Sequence, residues 1–235
     1  MKDKIMGFFN KKEVSQDSYY EPDTSNEVVP LTSGSNKECS SLRKENALLK
    51  KEFEIQMLEK FKTRRSIRKF SNKRIDEKII FDIIDASLNA PSAGNLQNSF
   101  IIVVNDKQRI NKISQIALQQ AWICDAPTVL VVVRDNSFVE QMYPHDGSRY
   151  SIQNTAAVIE NILMLAHCYG LGACWVEACE NEVLQEYLDI PTGREVDAII
   201  PIGYPLENPH VTKDPISAHV FFEKHGSKKG NLSGE

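Results

Sequence analysis

Thr63-Arg64-Arg65-Ser66-Ile67-Arg68-Lys69-Phe70 sets four cations and the Ser66 hydroxyl between Arg64 and Phe70. It begins where one helical pattern ends and the more strongly patterned part of the chain starts. In an extended chain successive side chains alternate, so Arg64, Ser66 and Arg68 share one face and Arg65, Ile67 and Lys69 take the other. The first face offers two guanidinium forks and a hydroxyl, donors suited to a phosphate and the polyol or ring attached to it. Read alone, these residues fit a solvated basic turn or a nucleic-acid patch equally well. The rest of the chain has to decide.

Downstream, Asp76 is placed to cap a helix, with Ile75 and Ile80 at the positions of a hydrophobic staple and Ile79, Ile80, Ile83, Ile84 and Leu88 as its buried stripe. Asn89-Ala90-Pro91 ends it, because the residue before proline is pushed out of the helical region. The loop Ser92–Gln97 is either a plain connector or, through its small residues, a place where backbone approaches a flat ligand. Phe100–Val104 and Pro127–Val133 read as buried strands and Lys107–Gln120 as a helix between them. Phe138–Ser151 reads as a loop whose Tyr143 and His145 either touch substrate or lie on the surface. Ile152–Tyr169 is apolar nearly all round and predicts a central helix covered partly by a second subunit, with Gly170 as its left-handed cap and His167 in its last turn. Ala173–Ala178 and Val196–Gly203 read as strands, Asn181–Leu188 as a short helix. Strands and helices interleave, which predicts a central sheet flanked by helices.

Upstream, Leu42, Leu48, Leu49, Phe53, Ile55 and Leu58 recur among Lys and Glu at helical spacings, too briefly for a sustained coiled coil. The expected organisation is a disordered tail over 1–36, a helical extension over 37–60, the main domain over 61–226 and a flexible end over 227–235. The apolar run Ile5, Met6, Phe8 and Phe9 is too short for a signal core or a membrane span.

The chain has 235 residues, 41% hydrophobic and 26% charged, with a formal net charge of -4. That is ordinary for a globular protein and gives no general case for a nucleic-acid partner. Five cysteines, an odd number without a C-x-x-C pair, suit a reducing cytosol and predict buried thiols rather than a metal site. Neither G-x-G-x-x-G nor a phosphate loop ending in Gly-Lys-Ser/Thr is present, so a nicotinamide nucleotide would visit rather than reside. No serine sits in a G-x-S-x-G turn, so a hydrolase is not indicated.

Four motifs in order carry a family likeness: Arg64-x-Ser66-x-Arg68 after a helix, Pro91-Ser92-Ala93-Gly94-Asn95-Leu96-Gln97, Gly170-Leu171-Gly172-Ala173, and Pro201-Ile202-Gly203-Tyr204-Pro205. Together, from about Glu54 to Gly226, the chain resembles the FMN-dependent nitroreductase family. The resemblance implies an α+β fold with a mixed or antiparallel central sheet, and an intertwined homodimer with one FMN in each of two interfacial clefts. By the same likeness Arg64, Arg65, Ser66 and Arg68 would hold the phosphate, ribityl chain and pyrimidine edge, Arg68 nearest the edge that gains negative charge on reduction. Pro91, Ser92, Ala93, Asn95 and Gln97 would form the loop that the other subunit presents to the flavin. Val176, Glu177 and Ala178, after Trp175, would bring backbone N–H groups to the hydride-bearing edge, and Lys213 would stand where relatives place an arginine on the phosphate.

The implied activity is a cytoplasmic oxidoreductase in which NADH or NADPH and then a small electrophilic acceptor, a nitroaromatic or quinone, visit one flavin face in turn, without a metal, a nucleic-acid partner or a membrane. The chain departs from the pattern in having Asn98-Ser99 where many relatives have Pro-Trp, Asp214 beside Lys213, and the N-terminal extension. Two rival readings are a same-fold enzyme of reductive dehalogenation or flavin breakdown, and a redox-inactive flavin-binding adaptor.

Overall fold

Four strands, β1 (Ser99–Val104), β2 (Thr128–Asp135), β3 (Gly172–Ala173) and β4 (Arg194–Gly203), make one sheet in the order β1-β2-β4-β3, every neighbouring pair antiparallel. The computed structural model that shows this describes residues 36–228, with side chains from Arg43 onward. The expectations for the two termini fall outside that range except at Asn36, Ser227 and Lys228. Seven helices complete the described chain: α1 (Asn36–Thr63), α2 (Glu77–Ser87), α3 (Lys107–Ile116), α4 (Ser137–Met142), α5 (Gly147–Cys168), α6 (Asn181–Tyr187) and α7 (Ile216–His219). The fold is α+β, and of the two sheet types expected it takes the antiparallel one. Two compact units are present, Met1–Glu52 and Phe53–Glu235. In the first, every side chain from Arg43 to Glu52 is exposed. The sheet and helices α2 to α7 all belong to the second.

β2 reads as an unbroken apolar run because both its faces are covered. Leu130 and Val132, with Ala198, Ile200 and Ile202 of β4, pack under Ile80 and Ile83 of α2 and Val158, Ile159 and Ile162 of α5. Val129, Val131 and Val133, with Val196 and Ile199, pack against Ile110 and Ile113 of α3 and Leu184 of α6. The two-residue period of each strand thus feeds two cores, one on either side of the sheet. The register slips between Val132 and Val133, leaving Asp197 as the extra residue of a bulge in β4. Asp197 and its neighbour Ala198 therefore both face α5, where Asp197 meets Arg134 and accepts from the Thr155 hydroxyl. Burial pushes its carboxyl above the usual range, against the opposing pull of Thr155 and Arg134.

α2 starts as its sequence predicts. The Asp76 carboxylate accepts from the backbone N–H of Lys78 at 2.9 Å, and Ile75 and Ile80 are both buried beside it. Leu88, expected in the buried stripe, is 40% exposed beyond the helix end. α5 ends as predicted too. Gly170 at φ 73° lets its own N–H reach His167 O and that of Leu171 reach Ala166 O at 2.8 Å, the paired bonds of a Schellman cap.

Several local expectations are corrected. The helix expected over Lys107–Gln120 stops at Ile116, because Leu118 and Gln119 take positive φ. The loop expected over Phe138–Ser151 is mostly helix: α4 and α5 leave only Tyr143–Asp146 between them. Gly147 allows that closeness, since a Cβ there would lie 2.5 Å from Glu140 Cα. β1 is an edge strand, with Phe100 41% exposed rather than buried. The first turns of α5 invert the expected pattern, for Ile152 is exposed while Ser151, Asn154 and Thr155 are buried. Among the described cysteines only Cys174 is fully buried, and Cys168 is exposed.

Candidate functional site: two half-sites at opposite edges of one sheet

After α1 the chain from Arg64 to Phe70 runs along the β3 edge. Ser66 pairs in parallel with Ala173, Ile67 N–H donates to Ala173 O at 3.0 Å, and Phe70 pairs with Pro205. On its other side Glu207 Oε1 accepts from the backbone N–H of Arg68 at 2.6 Å and of Lys69 at 3.2 Å. Ile67 is buried against Gly172, where a Cβ would lie 2.7 Å from the isoleucine side chain. Only glycine lets the two backbones come this close.

The segment is extended along β3, with Ile67 buried and Arg64, Ser66 and Arg68 at least partly exposed. Arg64, Ser66 and Arg68 all act on the Cys174 thiol: burial pushes it up, while Arg68, a hydrogen bond with Ser66, and Arg64 pull it down, with Glu207 opposing them. One small region of the β3 edge thus receives two guanidinium groups and a hydroxyl. Arg68 also lies over the Trp122 ring, 5.7 Å from its centroid. Arg65 turns the other way, donating to the carbonyls of Lys62 at 2.8 Å and Arg64 at 2.7 Å at the end of α1. His167 marks how positive the region is. Its ring is pushed below its ordinary value by burial and then by Lys60, Arg64 and Arg65. Thr63 Oγ1 donates its one proton to Glu59 O at 2.6 Å, so at 3.0 Å from His167 Nε2 it accepts, which places the imidazole proton on Nε2.

Beyond β3 the expected strand Ala173–Ala178 is cut short. Cys174 N–H reaches Pro201 O at 3.4 Å, but Pro201 has no N–H to return, and pairing resumes only at Val176 with Ile199. Trp175, Glu177 and Ala178 are exposed and Val176 is buried. Lys213 is exposed and makes no hydrogen bond or ion pair among the described residues.

The loop Pro91–Gln97 lies elsewhere, at the start of β1 and so at the opposite edge of the sheet from β3. Gly94, Asn95 and Gln97 all take positive φ, 59°, 54° and 47°. Two side chains hold this unusual path: Ser92 Oγ accepts from Gln97 N–H at 3.1 Å, and Asn154 Oδ1 of α5 accepts from Ala93 N–H at 2.9 Å. Asn154 in turn donates to Asn98 Oδ1 at 2.8 Å, and Asn98 donates to Ser151 Oγ at 2.6 Å and Asp135 O at 3.2 Å. Beside the loop is a cleft of about 370 Å³ whose wall includes Asp85, Pro91, Ser92, Gln97, Asn154 and Val158.

Sequence reading singled out both segments as candidates but missed Ser151 and Asn154, and it noted Asn98 only as a departure. The one available signal was polar residues on the inward stripe of an otherwise apolar helix. Among the described residues no cluster of His, Cys, Asp and Glu could hold a metal, and no helix is long and apolar enough to cross a membrane.

A comparison with families and known proteins places this geometry. The Nitroreductase family model matches residues 61–122 and 117–204. A Methanothermobacter thermautotrophicus protein, provisionally named NADH dehydrogenase/NAD(P)H nitroreductase, is 34% identical over 71% of this chain and 87% of its own length. The iodotyrosine deiodinase of Haliscomenobacter hydrossis is 27% identical over 61% of this chain and 77% of its own. Among solved structures, the NADPH:FMN oxidoreductase from Vibrio harveyi complexed with NAD+ superposes with a TM-score of 0.64 at 27% identity, covering 75% of this chain and 80% of that one. The matched span carries both the arginine segment and the Pro91–Gln97 loop, and the chain belongs to the nitroreductase family.

Proposed function

We propose that this protein is an FMN-dependent NAD(P)H oxidoreductase that reduces a small electrophilic acceptor, a nitroaromatic or quinone, by a ping-pong route. The observation that carries the reading is the segment Arg64–Arg68 laid along the β3 edge, with Ser66 paired to Ala173 and with Arg64 and Arg68 near Cys174. The residues fit the cofactor. Two guanidinium groups and a hydroxyl match a phosphate and its polyol, and the charges of Lys60, Arg64 and Arg65, which after burial lower the His167 ring, favour an anion. When bound, FMN supplies the two-electron carrier between nicotinamide and acceptor.

The protein's part is to bind, orient and exclude water. Arg64 and Ser66 take the phosphate and ribityl chain, with Arg65 behind them. Arg68, held through its backbone by Glu207, stands where a fixed cation favours negative charge on the flavin ring. The exposed segment Trp175–Ala178 borders the same edge, with Val176, Glu177 and Ala178 offering backbone groups, and Lys213 reaches the phosphate from the C-terminal tail.

The other half comes from a second copy. One chain holds its arginine segment and its Pro91–Gln97 loop at opposite edges of the sheet, so a complete cleft takes Pro91, Ser92, Ala93, Asn95 and Gln97 from a partner in a homodimer. Phe53, Ile55, Leu58 and Phe61 on α1 and Phe100 on β1 support this: they are 41–62% exposed in the single chain, an apolar surface that a partner would cover. We place the protein in the cytoplasm, on its unpaired thiols. A second reading, reductive dehalogenation on the same fold, draws on the deiodinase relative.

The test is an absorbance spectrum of the protein loaded with FMN, repeated anaerobically with NADH and with NADPH. Bound flavin that bleaches with either donor and recolours with a quinone is the expected result. A protein that retains no flavin, or one whose bound flavin neither donor bleaches, would sink the proposal.

A further inference from the structure

The chain Ala93–Asn154–Asn98–Asp135 has a direction fixed from both ends. Ala93 N–H can only donate, so Asn154 must turn its oxygen toward it and its amide nitrogen toward Asn98. Asp135 C=O can only accept, so Asn98 must turn its nitrogen toward it and its oxygen back toward Asn154. Both assignments meet at the single bond between the two side chains, and they agree. Asn98 spends its second amide hydrogen on Ser151 Oγ. Asn98 and Asn154 are each 5% exposed, and among the described residues no buried side-chain polar atom lacks a partner. The network is therefore complete, and no member can be reversed without setting two like atoms face to face.

This brace sits under a loop that would not hold its shape by itself. Asn95 and Gln97 take the left-handed region, a strained conformation for residues with a Cβ that surrounding structure must offset. Among the described residues two side-chain bonds hold the loop: that of Ser92 lies within it, and the one from another element is that of Asn154.

We propose that Asn98 and Asn154 are positioning residues of the flavin cleft: their one-directional amide pair holds Pro91–Gln97 in the conformation that faces the cofactor. This rests on the flavin reading above, and it goes beyond that reading in assigning the loop's shape to two side chains that are not among those proposed to hold the flavin.

The experiment uses Asn154→Asp in the full chain, read by FMN affinity and by hydrogen exchange of the 91–97 peptide in the flavin-free protein. An ionised carboxylate at 154 turns an oxygen toward Asn98 Oδ1, whereas a protonated one donates there and still accepts from Ala93 N–H, reproducing the amide. At pH 8 the variant should bind FMN at least tenfold more weakly than the parent and exchange faster in the loop. Toward pH 5.5 both should return to parental values as the buried carboxyl takes up its proton. Affinities are compared with the parent at each pH, which removes the titration of the phosphate and the influence of the neighbouring charges of Asp85, Asp135 and Arg194, common to both proteins. Asn98→Asp should recover only in part, because a neutral carboxyl has one proton for the two acceptors Ser151 and Asp135. Asn154→Ala, which adds no charge, should show a pH-independent loss and serves should the Asp variant unfold at pH 8. Parental affinity and exchange at pH 8, or a loss in Asn154→Asp as flat with pH as that of the alanine variant, would overturn the proposal. If the parent itself binds no FMN, the flavin reading fails, while loop exchange still decides whether the pair braces the loop.

Discussion

The two half-sites are built by different means. The arginine segment is held by its backbone: Ser66 and Ile67 are laid on β3, Lys69 and Ser71 are tied to the stretch from Tyr204 to Leu206, and Glu207 grips two further N–H groups. The Arg64 and Arg68 side chains make no hydrogen bond or ion pair among the described residues and are available to a ligand. The Pro91–Gln97 loop is held by side chains, through Ser92 and the Asn154–Asn98 pair, and Pro91, Ser92 and Gln97 line the cleft beside it. A backbone-held segment tolerates changes in its exposed side chains and is vulnerable at its closest contacts. A side-chain-held loop has the opposite weakness.

The largest expected effect attacks the backbone-held half at its tightest point. In Gly172→Ala the new methyl lies 2.7 Å from Ile67, whose Cβ cannot swing away, so the Ser66–Ala173 pairing has to open. Overpacking of this kind should cost about 1–3 kcal/mol of stability and take flavin binding with it. A urea titration with parental stability would show that the segment yields more easily than its packing implies.

A smaller effect sharpens the contrast within the segment. Arg64→Ala should weaken FMN binding by about 1.5–3 kcal/mol through loss of a charge-assisted contact, with little change in stability. Arg65→Ala should do the reverse, removing about 0.5 kcal/mol from the end of α1, whose carbonyls its guanidinium covers, and leaving flavin affinity nearly unchanged. Equal flavin retention by both variants after dialysis would refute the division of labour.

The smallest effect is on pH dependence. His167 is held below its ordinary value near 6.5 by burial and by Lys60, Arg64 and Arg65. As pH falls through and below that value, the unfolded chain takes up a proton that the folded chain resists, so stability is full above pH 6.5 and declines beneath it. Thermal melts of His167→Gln, whose amide can still donate to Thr63, should lose less between pH 7 and 5 than those of the parent. A parallel decline in both proteins would show that His167 carries none of it.

Legibility in the sequence runs along the same division. Charge and backbone grammar announce themselves, so Arg64-x-Ser66-x-Arg68, the Asp76 cap, the Gly170 cap and β2 could all be read from residue type and spacing. The loop's position was readable from Pro91 and the small residues after it. Its support was not, because Asn154 lies in α5, far along the chain, and a polar residue on an inward stripe means nothing until its partner is known. The bulge at Asp197 was hidden for a similar reason: one extra residue in an apolar strand leaves no mark of its own, and only the pairing with Arg134 and Thr155 reveals which side it takes. The length of β3 was misread because the residue that ends its pairing, Pro201, belongs to β4.

That proline has a consequence for how the protein can change. Because Pro201 returns no hydrogen bond to Cys174, the stretch from Cys174 to Ala178 pairs in both directions with the sheet at Val176 alone. Substitutions at Trp175, Glu177 or Ala178 can therefore reshape the rim of the cleft without unpicking β4 from β2. The sheet's architecture and the site's chemistry are uncoupled at a single missing hydrogen atom, and selection for a new acceptor can act on the rim while the fold stays as it is.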